Sequence, residues 1–376
     1  MPLDTGDTSF MLVATALVMI MTPGLAFFYG GLVSRKNVLA IMMQSYVSMG
    51  VSTILWVAVG YSLCFSGDVG GMGIIGNLDM AFLRGIEVTD LGGLNDTIPL
   101  LLFVVYQMMF AIITPALITG AFANRITFKA YLIFLVAWQI LVYYPFVHMI
   151  WGGGMLADWG VLDFAGGIVV HALAGMAALA SVIYVGKRGV EDAGAHNVPF
   201  VAIGAALLWF GWFGFNAGSE LAVDEVTAVA FINTQIAAAF AAITWLLLAW
   251  HYDGKPSFVE MLIGMIAGLA TITPAAGFVS PQSAMLIGVA AGAACYFAVV
   301  FRKKKGLDDA LDVWGVHGVG GALGIIMLGV LASESIGGQN GLYHGNQDFF
   351  MVQLAGLALA CVWAFAFTYG MLMMID

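Results

Sequence analysis

The sequence predicts an all-α polytopic membrane protein with eleven transmembrane helices, and three observations carry that prediction. The first is composition: 62% of the 376 residues are hydrophobic and only 9% are charged, against about 45–50% and about 25% in soluble domains. Twelve Lys+Arg and 22 Asp+Glu are too few to coat a water-facing exterior, so most of the outer surface must meet lipid. The second is a set of runs without Asp, Glu, Lys or Arg: 8–34, 37–67, 97–124, 130–157, 164–186, 193–219, 226–252, 261–301, 313–333 and 349–375. A helix crosses a bilayer with about 20 residues. The run 261–301 therefore holds two crossings, with Ser280-Pro281-Gln282 to turn the chain between them.

The third observation is the side on which positive charge falls. Arg35, Lys36, Arg125, Lys129, Lys187, Arg188, Lys255, Arg302, Lys303, Lys304 and Lys305 all follow odd-numbered spans, and only Arg84 lies on the other side. Positive charge marks the cytoplasmic face. An odd number of spans then leaves the N-terminus outside and the C-terminus cytoplasmic, in a multi-pass protein of the plasma (cytoplasmic) membrane.

In chain order, the first run follows MPLDTGDTSF, which carries two acids and no basic flank. It lacks the positive region of a signal peptide and reads as a true span. The long connection 68–96 is Gly-rich and acidic, with Asp68, Asp79, Glu87, Asp90 and Asp96 against Arg84. A vestibule that concentrates cations and a solvated loop without a role both fit it. Glycines inside spans, such as Gly264, Gly268, Gly320 and Gly324, have the small-residue spacing that lets helices pack closely in lipid.

Two helix starts are alike. The fifth span opens Asp163-Phe164-Ala165-Gly166-Gly167 and carries His171, while the tenth opens Asp312-Val313-Trp314-Gly315 and carries His317. They enter from opposite sides, which suggests an inverted five-helix repeat, with halves at about 8–186 and 193–333, plus an eleventh helix at 349–375. The chain 1–376 reads as a single membrane domain.

Composition also excludes several classes. Cys64, Cys295 and Cys361 lie far apart, without the spacing of a zinc site or a disulfide framework, so no metal and no cofactor are expected. A net charge of -10 argues against a nucleic-acid partner, which needs clustered Lys and Arg. No P-loop, helix-borne metal motif or GxSxG elbow is present, so the chain reads as a transporter and not an enzyme.

A titratable residue within a span is a functional candidate by default. His171 and His317 occupy corresponding places in the repeat; a bonded pair of neutral imidazoles offers polar edges in a narrow apolar pore without fixed charge. Such a pair suits a small hydrogen-bonding solute that exchanges a proton. Aromatic residues beside small polar ones recur at the outer mouth: Tyr106-Gln107-Met108-Met109-Phe110, Trp151-Gly152-Gly153-Gly154 and Phe215-Asn216-Ala217-Gly218-Ser219. Ring faces and a hydroxyl can hold a small cation; an interfacial aromatic belt is the alternative.

At these residues the chain resembles the ammonium transporter, methylamine permease and Rhesus family. The resemblance rests on Asp163 to His171 running to Gly186-Lys187-Arg188, on Thr22-Pro23-Gly24 with Phe28-Tyr29-Gly30-Gly31, and on His148-Met149-Ile150-Trp151-Gly152-Gly153-Gly154. Gly211 to Ser219 and Asp312-Val313-Trp314-Gly315-Val316-His317-Gly318 complete it, covering spans 1 to 10 in order. It implies a homotrimer with one pore per subunit and an outer ammonium site at Phe110, Trp151 and Ser219, with Tyr106 at a mouth position where some members carry Phe. It implies a Phe110–Phe215 gate, a twin-histidine pore of His171 and His317, and a structural role for Asp163, matched here to Asp312. Ammonium or ammonia would be the substrate and methylammonium its analogue. Most family members continue into a cytoplasmic tail that couples the subunits and helps a PII signal protein block the pore, whereas this sequence stops at Met374-Ile375-Asp376. An artificial end, a tail-less variant, and a junction to a signalling module such as a histidine kinase all fit. Transport and ammonium sensing thus stand as the two functional readings.

Overall fold

The computed structural model describes residues 3–189 and 194–375. The expected starts of the sixth span and of the second half, at residue 193, and the terminal Asp376 lie outside them. Among the described residues, which include two isolated bridges and no strand, ten helices are long and apolar enough to cross a membrane and an eleventh, of 15 residues, completes the bundle. They are α1 (Thr5–Leu32), α2 (Arg35–Phe65), α3 (Leu100–Ile118), α4 (Phe128–Asp158, with a tight turn at 151–154), α5 (Gly167–Val185) and α6 (Val198–Ala217). The rest are α7 (Glu225–Asp253), α8 (Phe258–Ile272), α9 (Pro281–Lys304), α10 (Trp314–Leu331) and α11 (Gln347–Ile375).

Helix ends follow local chemistry. Asp4 accepts from the amides of Gly6 and Asp7 to open α1, and Asp224 forms a reciprocal cap with Thr227 at the start of α7, satisfying amides that have no partner within the helix. Ser280 caps α9 immediately before Pro281, the position a helix tolerates for proline. Arg302, Lys303 and Lys304 close α9, where the helix dipole favours cations.

The double run 261–301 divides differently from a simple pair of helices. α8 ends at Ile272, and the buried segment 273–279 finishes the crossing without helix. Non-helical backbone is tolerated at membrane depth only where protein covers it. Here Phe164 N donates to Pro274 O, and Asn233 Nδ2 donates to the carbonyls of Ala276 and Val279.

Close helix crossings are made at glycine. α1 meets α6 at Gly24 and Gly204, where a Cβ on Gly204 would sit 2.2 Å from Phe28 N. α5 meets α10 at Gly175 and Gly318, where a Cβ on Gly175 would sit 2.1 Å from Gly318 Cα. Each pairs a helix with the one five places later. α11 packs outside, on α5 and α10.

The two ends of the bundle differ in chemistry. At the N-terminal face, Asp4 N donates to Thr97 O, Val223 N donates to Asp7 Oδ1 and Asn95 Nδ2 donates to Leu221 O, which ties the chain start, the acidic loop and the 218–224 turn together. At the opposite face, Asp308 lies between Arg188 and Arg125, and Arg302 pairs with Asp312.

Candidate functional site

A cavity of about 330 Å³ opens at the N-terminal face among α3, α4 and the end of α6. Its walls include Phe110, Trp151 and Ser219, from three separate stretches of sequence, together with Gln107, Asp163 and Glu220. Trp151 donates its indole N–H to Asp163 O (2.8 Å) and stands edge-on to Phe110, with centroids 5.9 Å apart at 82°. Ser219 Oγ donates to Phe215 O (2.9 Å), which leaves its lone pairs for a donor in the cavity.

Tyr106 is not a wall of this cavity. It is fully buried, and its hydroxyl donates to the carbonyls of Gly214 (2.9 Å) and Phe215 (3.1 Å), with Ser219 Oγ 3.3 Å away. Its ring packs edge-on to Phe110 at 5.1 Å. Tyr106 thus supports Phe110 and Ser219 from behind.

Below the cavity the rings of Phe110 and Phe215 pack together, both 1% exposed, with centroids 4.4 Å apart. His171 lies next, with its ring stacked 5.9 Å from Phe215 and 5.5 Å from Trp212. Its Nδ1 is 3.2 Å from His317 Nδ1, and the two rings are nearly parallel at 20°. One imidazole donates and the other accepts, so the paired nitrogens carry a single proton between them. His171 Nε2 is buried without a partner. The lumen beside the histidines measures only about 10 Å³ and is otherwise lined by apolar side chains and Tyr29, at the lower limit of about 10–15 Å³ for one water.

Local folding explains why the histidines meet. Both sit on π-helical turns, Gly167–Ala172 and Trp314–Gly318, at the starts of α5 and α10; such turns recur at functional sites. The glycine crossing at Gly175 and Gly318 brings these turns together. Asp163 holds the first: Oδ1 accepts from Gly166 N and Gly167 N, and Oδ2 from Ile168 N and Val169 N. Four amides at a helix start stabilise a buried carboxylate through hydrogen bonds and the helix dipole.

The counterpart of Asp163 is Asp309, not Asp312. Asp309 lies eight residues before His317, as Asp163 does before His171. It is 2% exposed and accepts from Trp314 N (2.8 Å). Burial first, and the charge of Asp312 second, push its carboxyl up to about 6. Asp312 has a left-handed φ of 56° and pairs with Arg302 instead. The spacing of eight was a usable signal that the similarity of the opening residues obscured. Trp212, which stacks on His171 and donates to Thr273 Oγ1 (2.9 Å), was also missed. It lies three residues before Phe215, so the two share one helix face.

On the basic face a second cavity, of about 470 Å³, is lined by Asp308, Asp309 and Asp312 with Lys187, Arg188 and Arg302. Burial pushes the Asp308 carboxyl up, but hydrogen bonds and charge from Arg188, with Arg125 beside it, outweigh that and hold it below the usual carboxylate range. His148 stays outside the lumen, with Nδ1 2.9 Å from Cys64 O and Nε2 3.5 Å from Asp68 Oδ1.

A polytopic helical membrane protein with an aromatic-walled mouth, a phenylalanine constriction and a buried histidine pair is the class that fold and site define. The family model described as Ammonium Transporter Family matches residues 9–376. The chain is 46% identical to an ammonium transporter of Bacillus subtilis (98% of this chain, 91% of the relative). It is 44% identical to the ammonium transporter Amt1 of Archaeoglobus fulgidus (97% and 91%). Mep2 of Saccharomyces cerevisiae superposes with a TM-score of 0.92 at 34% identity, over 99% of this chain and 85% of Mep2. A structure titled Sensor Amt Protein gives 0.90 at 28%, over 98% and 92%. The chain belongs to the ammonium transporter family, a family of transporters rather than enzymes.

Proposed function

We propose that this chain conducts ammonium across the plasma membrane: NH4+ gathers in the mouth cavity against Trp151, Phe110 and Ser219, gives its proton to water of that cavity at the Phe110–Phe215 constriction, and passes as NH3 along His171 and His317. The observation that carries the reading is the order of these parts along one axis, from an acidic, aromatic cavity to a lumen that is narrow and free of fixed charge. Burying an unpaired ammonium there would cost several kcal/mol or more. Neutral NH3 escapes that penalty and still finds hydrogen-bonding nitrogens, including the unpartnered His171 Nε2. The N-terminal face lies outside and the basic face in the cytoplasm, and three copies assemble, each with its own pore.

Ammonium-evoked current and methylammonium uptake in proteoliposomes test the reading. A saturable response that His171→Asp and Ser219→Ala both alter supports it, and an unchanged response in both variants removes these residues from the path. The likeness to the Sensor Amt Protein favours one second reading, an ammonium receptor of the same fold. Specific ammonium binding without current or uptake would select it.

A further inference from the structure

Two carboxylates line the mouth cavity, Asp163 and Glu220, and the nearby acids Asp7 and Asp224 brace its rim. Asp163 accepts four amides, Asp7 accepts from Thr97 Oγ1 and Val223 N, and Asp224 caps α7. Of the two carboxylates in the cavity wall, Glu220 is the one left free. It ends the short turn Gly218–Glu220 next to Ser219, lines the mouth cavity and is half-buried. Its carboxylate has no hydrogen-bonding or ion-pair partner among the described residues.

We propose that Glu220 is the cation-attracting wall of the mouth cavity, setting the affinity for a small monovalent cation of the ammonium class held against Trp151 and Ser219. An unpaired carboxylate in a cleft with apolar walls focuses its field on the space in front of it and raises the local cation concentration. Asp163 cannot do the same, since four donors already satisfy its oxygens. The substrate named here rests on the transport reading, but the role of Glu220 in holding the cation does not require flux.

The site is also built to respond to pH. The ionisable side chains on the segments around the turn are Asp7 on α1, Asp96 in the acidic loop, Tyr106 on α3, Asp163 before α5, Asp224 and Glu225 at the start of α7, and Glu334 in the turn beside Ile336 and Gly337. None is basic. Burial, then the charge of Asp224, push the Glu220 carboxyl up to about 7. Glu220 is therefore ionised at pH 8 and largely neutral at pH 6, while NH4+ stays the dominant form of its substrate across that interval.

The test is the half-saturating ammonium concentration at pH 8 and pH 6, read both as transport in proteoliposomes, by current and by competition with methylammonium uptake, and as tryptophan fluorescence of the detergent-solubilised protein. The expected wild-type value rises roughly threefold to tenfold as pH falls through the Glu220 titration. Glu220→Gln should show the higher value at both pH values, with the change falling on half-saturation rather than on maximal current. Glu220→Asp, which keeps the charge, should restore the pH dependence. A wild-type value that does not change with pH overturns the proposal even if Glu220→Gln fails to fold, and so does a Glu220→Gln variant with the wild-type profile. Binding that follows this pattern without any current or methylammonium uptake supports Glu220 and overturns the transport reading alone.

Discussion

The two faces of the molecule hold their carboxylates in different ways. At the N-terminal face the buried Asp163 is satisfied by four backbone amides, Glu220 is left free among the described residues, and those of the mouth cavity include no Lys or Arg. At the basic face Asp309 likewise accepts an amide, from Trp314 N, but its neighbours are held by arginine: Asp308 lies between Arg188 and Arg125, and Asp312 meets Arg302. The histidine-bearing turns of α5 and α10 repeat one device, an acid eight residues ahead of a histidine, in these two settings. On the proposed reading, this difference draws a cation to the acidic entrance. On the other side the negative charge is already neutralised by the protein.

The comparison breaks most severely at Asp163. Asp163→Ala leaves four amides at the start of α5 without their partner, and a loss of about 3–5 kcal/mol is expected from removing one side of a buried charged network. Asp309→Ala should cost less, about 1–3 kcal/mol, because its Oδ1 is already unpartnered and Arg302–Asp312 remains nearby. Thermal unfolding in detergent ranks the two, and a larger loss at Asp309 would contradict the contrast.

Gly175→Ala comes next. Its methyl would strike Gly318 backbone, which has no side chain to turn aside. Overpacking of this kind costs about 1–3 kcal/mol, and separation of α5 from α10 should pull His171 away from His317. Flux is expected to fall at least about tenfold while the protein still folds. Wild-type flux in a folded variant would show that the histidine pair does not need this crossing.

Asp308→Asn should have the smallest effect, about 1 kcal/mol for a partly exposed pair, read as faster hydrogen exchange around 186–189 and 306–309. The Asp308 carboxyl lies below its ordinary value, so its contribution is complete above that value and fades only as pH falls through the lowered one. Wild-type exchange protection in these loops should therefore be the same at pH 8 and pH 6, apart from the intrinsic pH dependence of exchange.

Much of the fold was legible because lipid imposes a one-dimensional rule: a span must be apolar and its flanks may be charged. That rule located the spans, and Ser280-Pro281 marked the start of α9. It could not show that α8 stops at Ile272, since the polar groups of 273–279 are satisfied by distant partners such as Asn233. The walls of the mouth were legible in part. Phe110, Trp151 and Ser219 converge on one cavity, whereas Tyr106, of the same residue class and on the same helix as Phe110, is turned into the α6 backbone. Side-chain direction at that level is set by tertiary contacts. Asp309 was hidden because Asp312 offered a closer local match, while capping depends on the distance from acid to turn.

The central claim is that ammonium enters as a cation and crosses the histidine lumen without its charge. Potassium resembles NH4+ in size and charge but has no proton to release, so comparing the two in the same proteoliposomes tests the claim directly. Ammonium should evoke a saturable response, potassium none, and excess potassium should leave the ammonium response standing. A potassium current of similar size would mean that the lumen carries charged ions, and would contradict passage as NH3.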